Sequence, residues 1–244
     1  MNLLGRLLRW LSPTLARFGQ NVCTLALRQG QWRSMRQGAP VDAGGAPLPW
    51  YTYPAIEYLS QFDLLQRAIF EFGGGHSSRF WAARAALVVT VENDPAWFER
   101  LRRQLRPNQR VLLRTQREGY LAALAEQPGR FDVIAIDGAW RHACARAALD
   151  KLHDHGIIVL DNSDKFPAAA EFLRTRGFFQ VDFNGLGPVN NYAWTTSVFV
   201  RAANPMQQNY RPPSPVGGLG VRLGVEDEED GSGADMLPGR PHCG

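Results

Sequence analysis

From residue 68 onward the chain alternates short apolar runs with amphipathic stretches. The runs "AIFEFG" (68–73), "LVVTVE" (87–92), "RVLLR" (110–114), "FDVIAID" (131–137) and "GIIVLD" (156–161) have strand length. Between them, segments 77–85, 95–105, 118–127, 141–153 and 167–176 space their apolar residues three and four apart, the period of a helix. Near-continuous apolar strands alternating with helices predict an α/β fold whose parallel sheet is buried on both faces. Two last runs, "FFQVDF" (178–183) and "TTSVFVR" (195–201), are joined only by "NGLGPVNNYAW". With no helix between them a hairpin is predicted, which turns the final strand antiparallel to the rest.

The two ends differ from this body. Leu3, Leu4, Leu7, Leu8 and Leu11 form one helical stripe, and Ser12-Pro13 reads as the N-cap and first turn of a second short helix. Arginines interrupt the stripe, so no continuous apolar run reaches the length of a secretory core or a membrane span. Residues 1–41 hold six arginines and no acid. Two readings stand for this basic amphipathic arm. It packs on its own domain or on a second subunit, or residues 1–36 lie peripherally on an anionic membrane. "RQGAPVDAGGAPLP" (36–49) is a connector, and the domain is placed at 42–201. Residues 202–244, rich in Pro and Gly and carrying "EDEED" at 226–230, are expected to be a disordered acidic tail.

Of the net charge of +4 only +1 belongs to the middle, 42–201; the rest comes from two ends of opposite sign, and no nucleic-acid partner is expected. Cys23, Cys144 and Cys243 are odd in number and far apart, which fits a reducing, cytoplasmic setting rather than a disulfide framework or a zinc site.

In an open α/β sheet, ligands bind beyond the carboxyl ends of the strands. Glu71-Phe72-Gly73-Gly74-Gly75, Glu92, Asp137-Gly138 and Asp161-Asn162 all fall there. Glycines let the backbone turn sharply and approach a ligand closely. A dinucleotide loop would read GxGxxG, but Ser78 takes the last glycine position and an acid, Glu71, precedes the loop. A carboxylate there opposes a pyrophosphate and favours a cation. S-adenosylmethionine, with an ammonium, a sulfonium and no phosphate, suits the site better than NAD. Glu92, 21 residues after Glu71 at the end of the next strand, is placed to accept hydrogen bonds from both ribose hydroxyls. Asp94, before Pro95, reads as a helix N-cap.

Together "FEFGGGHSS", "VTVEND", "FDVIAIDG" and "GIIVLDN" resemble motifs of the class I S-adenosylmethionine-dependent methyltransferases, over roughly residues 50–201. "PWYTYPAIEYL", "IDGAWRHAC" and "VLDNSD" resemble a bacterial subgroup of these enzymes. The resemblance implies a doubly wound, seven-stranded, mostly parallel Rossmann-like sheet with an antiparallel last strand. It implies that Glu71, Gly73, Gly74, Gly75 and Ser77 hold the methionine part, that Glu92 holds the ribose, and that Asp137 contacts cofactor or substrate. Ser77 departs from the third alternating glycine of many members. Asp137, Asp161 and Asn162 also resemble the Mg²⁺ ligands of catechol- and caffeoyl-CoA-type O-methyltransferases. Those enzymes place a lysine soon after the first aspartate, where this chain has Trp140 and Arg141, and arginine is no base at neutral pH.

For the acceptor's proton, the candidates are Asp137 and two histidines at strand ends, His76 and His142. Trp50, Tyr51 and Tyr53 form either a lid over the crevice or a seal on the sheet, and Asn190, Asn191 and Tyr192 either line the acceptor pocket or only turn the chain. The expected activity is methyl transfer to an oxygen of a small molecule or saccharide, with homodimer formation open. The rival readings are an aminopropyltransferase, an NAD-dependent oxidoreductase and a non-catalytic cofactor-binding or membrane-associated scaffold.

Overall fold

The computed structural model describes residues 12–201 and Gly224. The leucine stripe at 3–11 and the acidic tail lie outside them. Two N-terminal helices, α1 (Pro13–Cys23, prolonged by a π-helical turn over Thr24–Arg28) and α2 (Gln31–Gln37), are followed by α3 (Tyr53–Ser60). Next come β1 (Ala68–Phe72), α4 (His76–Ala82), β2 (Leu87–Glu92), α5 (Pro95–Arg102), β3 (Gln109–Leu113) and α6 (Arg117–Ala125). The rest is β4 (Phe131–Ile136), α7 (Arg141–Ala148), β5 (Leu152–Asp161), α8 (Pro167–Thr175), β6 (Phe178–Gly185) and β7 (Trp194–Arg201).

The seven strands form one sheet in the order β3-β2-β1-β4-β5-β7-β6. β1 pairs in parallel with β2 and β4, and β4 with β5. β7 is inserted antiparallel between β5 and β6, as the helix-free linker predicts. Both faces are covered. Phe70, Phe72, Val89, Val91, Ile134, Ile136, Ile158 and Leu160 meet α6, α7 and α8. Their neighbours Ile69, Val88, Val133, Ala135, Val159 and Val198 meet α3, α4 and Tyr51. This two-residue alternation, apolar on both sides, is why the strands read as unbroken apolar runs.

One boundary departs from the sequence pattern. The helix expected over 141–153 stops at Ala148, and β5 starts four residues before the predicted strand. Leu152 follows Ala148 at helical spacing, so periodicity alone extends the helix. The sheet takes Leu152 instead: it pairs opposite Phe131, whose N–H donates to the Lys151 carbonyl at 2.8 Å. The shift of register between Phe131 and Val133 lets this early pairing coexist with the main one.

The segment before the sheet is fastened to it. Gln31 Nε2 donates to the Gly187 carbonyl at 2.9 Å, and the Ser34 hydroxyl donates to the Val41 carbonyl and accepts from its N–H. The Thr52 N–H donates to Thr196 Oγ1, and its hydroxyl donates to the Phe183 carbonyl. Tyr51 and Tyr53 are consequently buried against the sheet face, as a seal.

Candidate active site

The strand order reverses between β1 and β4, and the crevice opens at the carboxyl ends of those two strands. Glu71 belongs to β1 and faces the α4 side with Thr90 of β2. It is fully buried. Its Oε2 accepts from Thr90 Oγ1 at 2.9 Å and, in a very short bond, from Ser78 Oγ. Ser78 Oγ accepts in turn from the Gly75 N–H at 3.0 Å, so this one serine ties the acid to the glycine loop. Read from the sequence only as a missing glycine, Ser78 is the loop's organising residue. Glu71 Oε1 makes no hydrogen bond within the described chain. Burial pushes the Glu71 carboxyl up to about 7, against the lowering effect of the Ser77, Ser78 and Thr90 hydroxyls. A buried acid with an unused oxygen is set to be ionised by an arriving cation.

Glu92, at the end of β2, is aimed by the backbone. Its Oε2 accepts from the Gly74 N–H at 3.0 Å, and its Oε1 from the N–H groups of Asn93 and Asp94 at 2.8 and 2.9 Å. Asp94 caps α5 as predicted, accepting from the Trp97 N–H at 2.9 Å. The Trp97 indole donates to the Gly74 carbonyl, closing the loop onto α5.

Gly73 and Gly138 bring the β1 and β4 loops together. Gly73 lies in the left-handed region at φ 83°, and a Cβ there would strike the Gly138 backbone. A Cβ on Gly138 would meet the hydroxyl of Tyr120, a buried group with no hydrogen-bond partner. The two loops thus meet with no room for a side chain on either glycine, which is why both positions need glycine.

On the acceptor side, Arg141 decides the chemistry. Its guanidinium, 1% exposed, donates from Nη2 to Asp137 Oδ1 at 3.1 Å and from Nη1 to Asn162 Oδ1 at 3.0 Å. It also donates to the Gly138 and Asp161 carbonyls. Asp161 Oδ1 accepts from Trp194 Nε1 at 2.9 Å and Thr196 Oγ1 at 2.5 Å. Burial, and then the neighbouring Asp137, push the Asp161 carboxyl well above the usual range. The set Asp137, Asp161 and Asn162 therefore does not fit Mg²⁺. Its oxygens already serve a guanidinium, an indole and a hydroxyl, and a divalent ion would have to share the space with a buried fixed cation. The expectation of a metal is corrected on that ground.

The remaining candidates are spread out. Ser77 is buried beside Glu71. His76 opens α4 and turns sideways into a cavity of about 430 Å³, walled by Thr90, Trp97, Leu101, Leu105 and Val111, on the flank of the sheet. Burial and then Arg79 lower its basicity. The His142 ring packs edge-on against Phe172 of α8, 5.8 Å between centroids. Glu71, Gly73, Gly74, Gly75, Glu92 and Asp137 are the candidates gathered at the adjoining carboxyl ends of β1, β2 and β4.

Lys165 has no counterpart in the sequence reading. It is 3% exposed, its Nζ makes no hydrogen bond among the described residues, and it lies 5.5 Å from the centre of the Tyr192 ring. Burial lowers its pKa, against the raising effects of Asp164 and Asp161. Only the fold reveals it, because the turn after β5 swings Lys165 inward beneath the loop that carries Tyr192.

No family model matches the chain, and no curated protein matches it in sequence. Similar solved structures include the O-methyltransferase TomG from Streptomyces achromogenes, in complex with S-adenosylmethionine. It is 20% identical over 56% of this chain and 74% of that one, with a TM-score of 0.46. A methyltransferase from Pyrococcus furiosus is 22% identical over 62% and 84%, with a TM-score of 0.47. A precorrin-6y C5,15-methyltransferase from Geobacter metallireducens is 17% identical over 63% and 91%, with a TM-score of 0.48. By the order and direction of its own seven strands, this chain has the Rossmann-like fold of the class I S-adenosylmethionine-dependent methyltransferases.

Proposed function

We propose that the chain is an S-adenosylmethionine-dependent methyltransferase acting on an oxygen of a small molecule or saccharide. The observation that carries this reading is the buried Glu71 with its unused Oε1, set at the glycine bend beside the backbone-clamped Glu92. The residues fit the cofactor. Glu71 would hold its ammonium, Glu92 its ribose hydroxyls, and the side-chain-free contact of Gly73 with Gly138 would admit it against the backbone. When bound, that group supplies an electrophilic methyl on a sulfonium. The chain's part is to position the acceptor, exclude water and accept a proton. Asp137 is tied to Arg141, whereas Lys165 Nζ is buried, unpartnered and less basic than usual, and is the group proposed to take that proton. The fixed guanidinium of Arg141 on Asp137 also opposes a polyamine, which weighs against aminopropyl transfer.

Isothermal calorimetry tests the assignment. S-adenosylhomocysteine should bind the wild type, while NAD should not. Glu92→Ala should bind at least tenfold more weakly, the equivalent of about 1.4 kcal/mol. Equal affinity of both proteins would remove Glu92 from the site. Binding of NAD in preference would overturn the reading as a whole.

A further inference from the structure

We infer that α1 and the π-helical turn after it form a docking surface for an anionic lipid bilayer. None of the 11 residues of α1 is buried, whereas Leu25 of the π-helical turn packs against the core and anchors the segment. Yet it is not polar all round. Leu15, Phe18 and Val22 are 61%, 66% and 49% exposed, and their steps of three and four residues put them on one stripe. Leu27 and Trp32 continue the exposed apolar residues toward α2. Arg17, two residues from Leu15, falls about 200° around the helix, opposite the stripe.

Charge selects the occupant. Residues 1–41 carry six arginines and no acid, and Arg17 and Arg28 are exposed on α1 and its π-helical turn, so two copies of this segment carry like charge. An anionic lipid surface meets the same arginines with opposite charge and takes the apolar stripe into its acyl boundary. The surface lies on the bilayer rather than across it: among the described residues no helix is long and apolar enough to span a membrane. The tether is firm, because α2 is fixed by Gln31 to the Gly187 carbonyl and by Ser34 to Val41.

Vesicle flotation of the full chain tests this, independently of what the crevice binds. The wild type should float with vesicles containing phosphatidylglycerol, and should stay down with phosphatidylcholine alone or in high salt. Phe18→Asp should weaken partitioning at least tenfold. Arg17→Gln and Arg28→Gln should each weaken it about fivefold. Flotation that ignores lipid charge, or that Phe18→Asp leaves unchanged, would overturn the proposal. So would a dimer in size-exclusion chromatography that Phe18→Asp splits, because the stripe would then belong to a second copy.

Discussion

The buried Arg141 and the partly buried Asp137 form an ion pair four residues apart, at 3.1 Å, where the sequence resembles a Mg²⁺ ligand set. Guanidinium and Mg²⁺ compete for the same oxygens, so the protein should be indifferent to EDTA in ligand binding and in thermal stability. Arg141→Met should cost about 3–5 kcal/mol in urea unfolding, because it removes the cation paired with Asp137 and the donor to Asn162 Oδ1 and to three carbonyls. A rise in Tm on adding Mg²⁺ to the wild type would show that the guanidinium gives way and that these oxygens do take a divalent ion.

Glu71 predicts opposite pH responses for stability and for binding. Its folded pKa, about 7, is raised above the ordinary value of 4.5. Stability from the protonated form is therefore complete below 4.5 and is lost as pH rises through about 7. Above that point Glu71→Gln should be more stable than the ligand-free wild type, by at most about 3 kcal/mol. A cationic ligand needs the ionised form, so the wild type's affinity for S-adenosylhomocysteine should fall about tenfold per unit below that pKa. Differential scanning fluorimetry and calorimetry across the range check both. Parallel pH profiles for the wild type and Glu71→Gln would exclude Glu71 as the titrating group.

Gly138 and Tyr120 give a double-mutant test of the cradle. Gly138→Ala places a methyl against the Tyr120 hydroxyl and the Gly73 backbone, at a cost of about 1–3 kcal/mol. Tyr120→Phe removes a buried hydroxyl that has no partner, so it should leave the ligand-free protein as stable or slightly more so. Combined, the two should recover part of the loss, since the colliding oxygen is gone. Strict additivity in chemical denaturation would mean that the two groups do not meet.

Much of the fold could be read from the sequence because its signals are local. Apolar runs ending in Glu71, Glu92, Asp137 and Asp161 mark strand ends whether or not anything else is known. The Asp94-Pro95 cap is likewise a property of adjacent residues. What escaped depends on contacts across the chain. Ser78 matters because it reaches back to Glu71, and Arg141 because α7 points it at the ends of both β4 and β5. An arginine just after a strand reads as solvated, and only the sheet order shows that it is walled in. Lys165 and the early start of β5 have the same cause: pairing partners far away in sequence decide which way a local pattern is resolved.

Trp140 offers a last test, because its backbone and side chain pull in opposite directions. It adopts φ 52°, a left-handed conformation unfavourable for a bulky residue, at the bend between β4 and α7. Its half-buried ring lies edge-on to Tyr120, 5.2 Å between centroids, and packs against the core. Trp140→Gly should regain about 1–2 kcal/mol of backbone strain but lose about 0.5–1.5 kcal/mol of aromatic contact and the apolar burial of part of the indole besides. The ligand-free protein should therefore unfold at a somewhat lower denaturant midpoint. Affinity for S-adenosylhomocysteine should drop several-fold as well, because the bend that follows Gly138 is no longer held by the ring against Tyr120. A loss of more than about 3 kcal/mol in the ligand-free protein would place Trp140 in the core, at the low end of Trp→Ala core costs, and its strained backbone would then serve packing rather than the site.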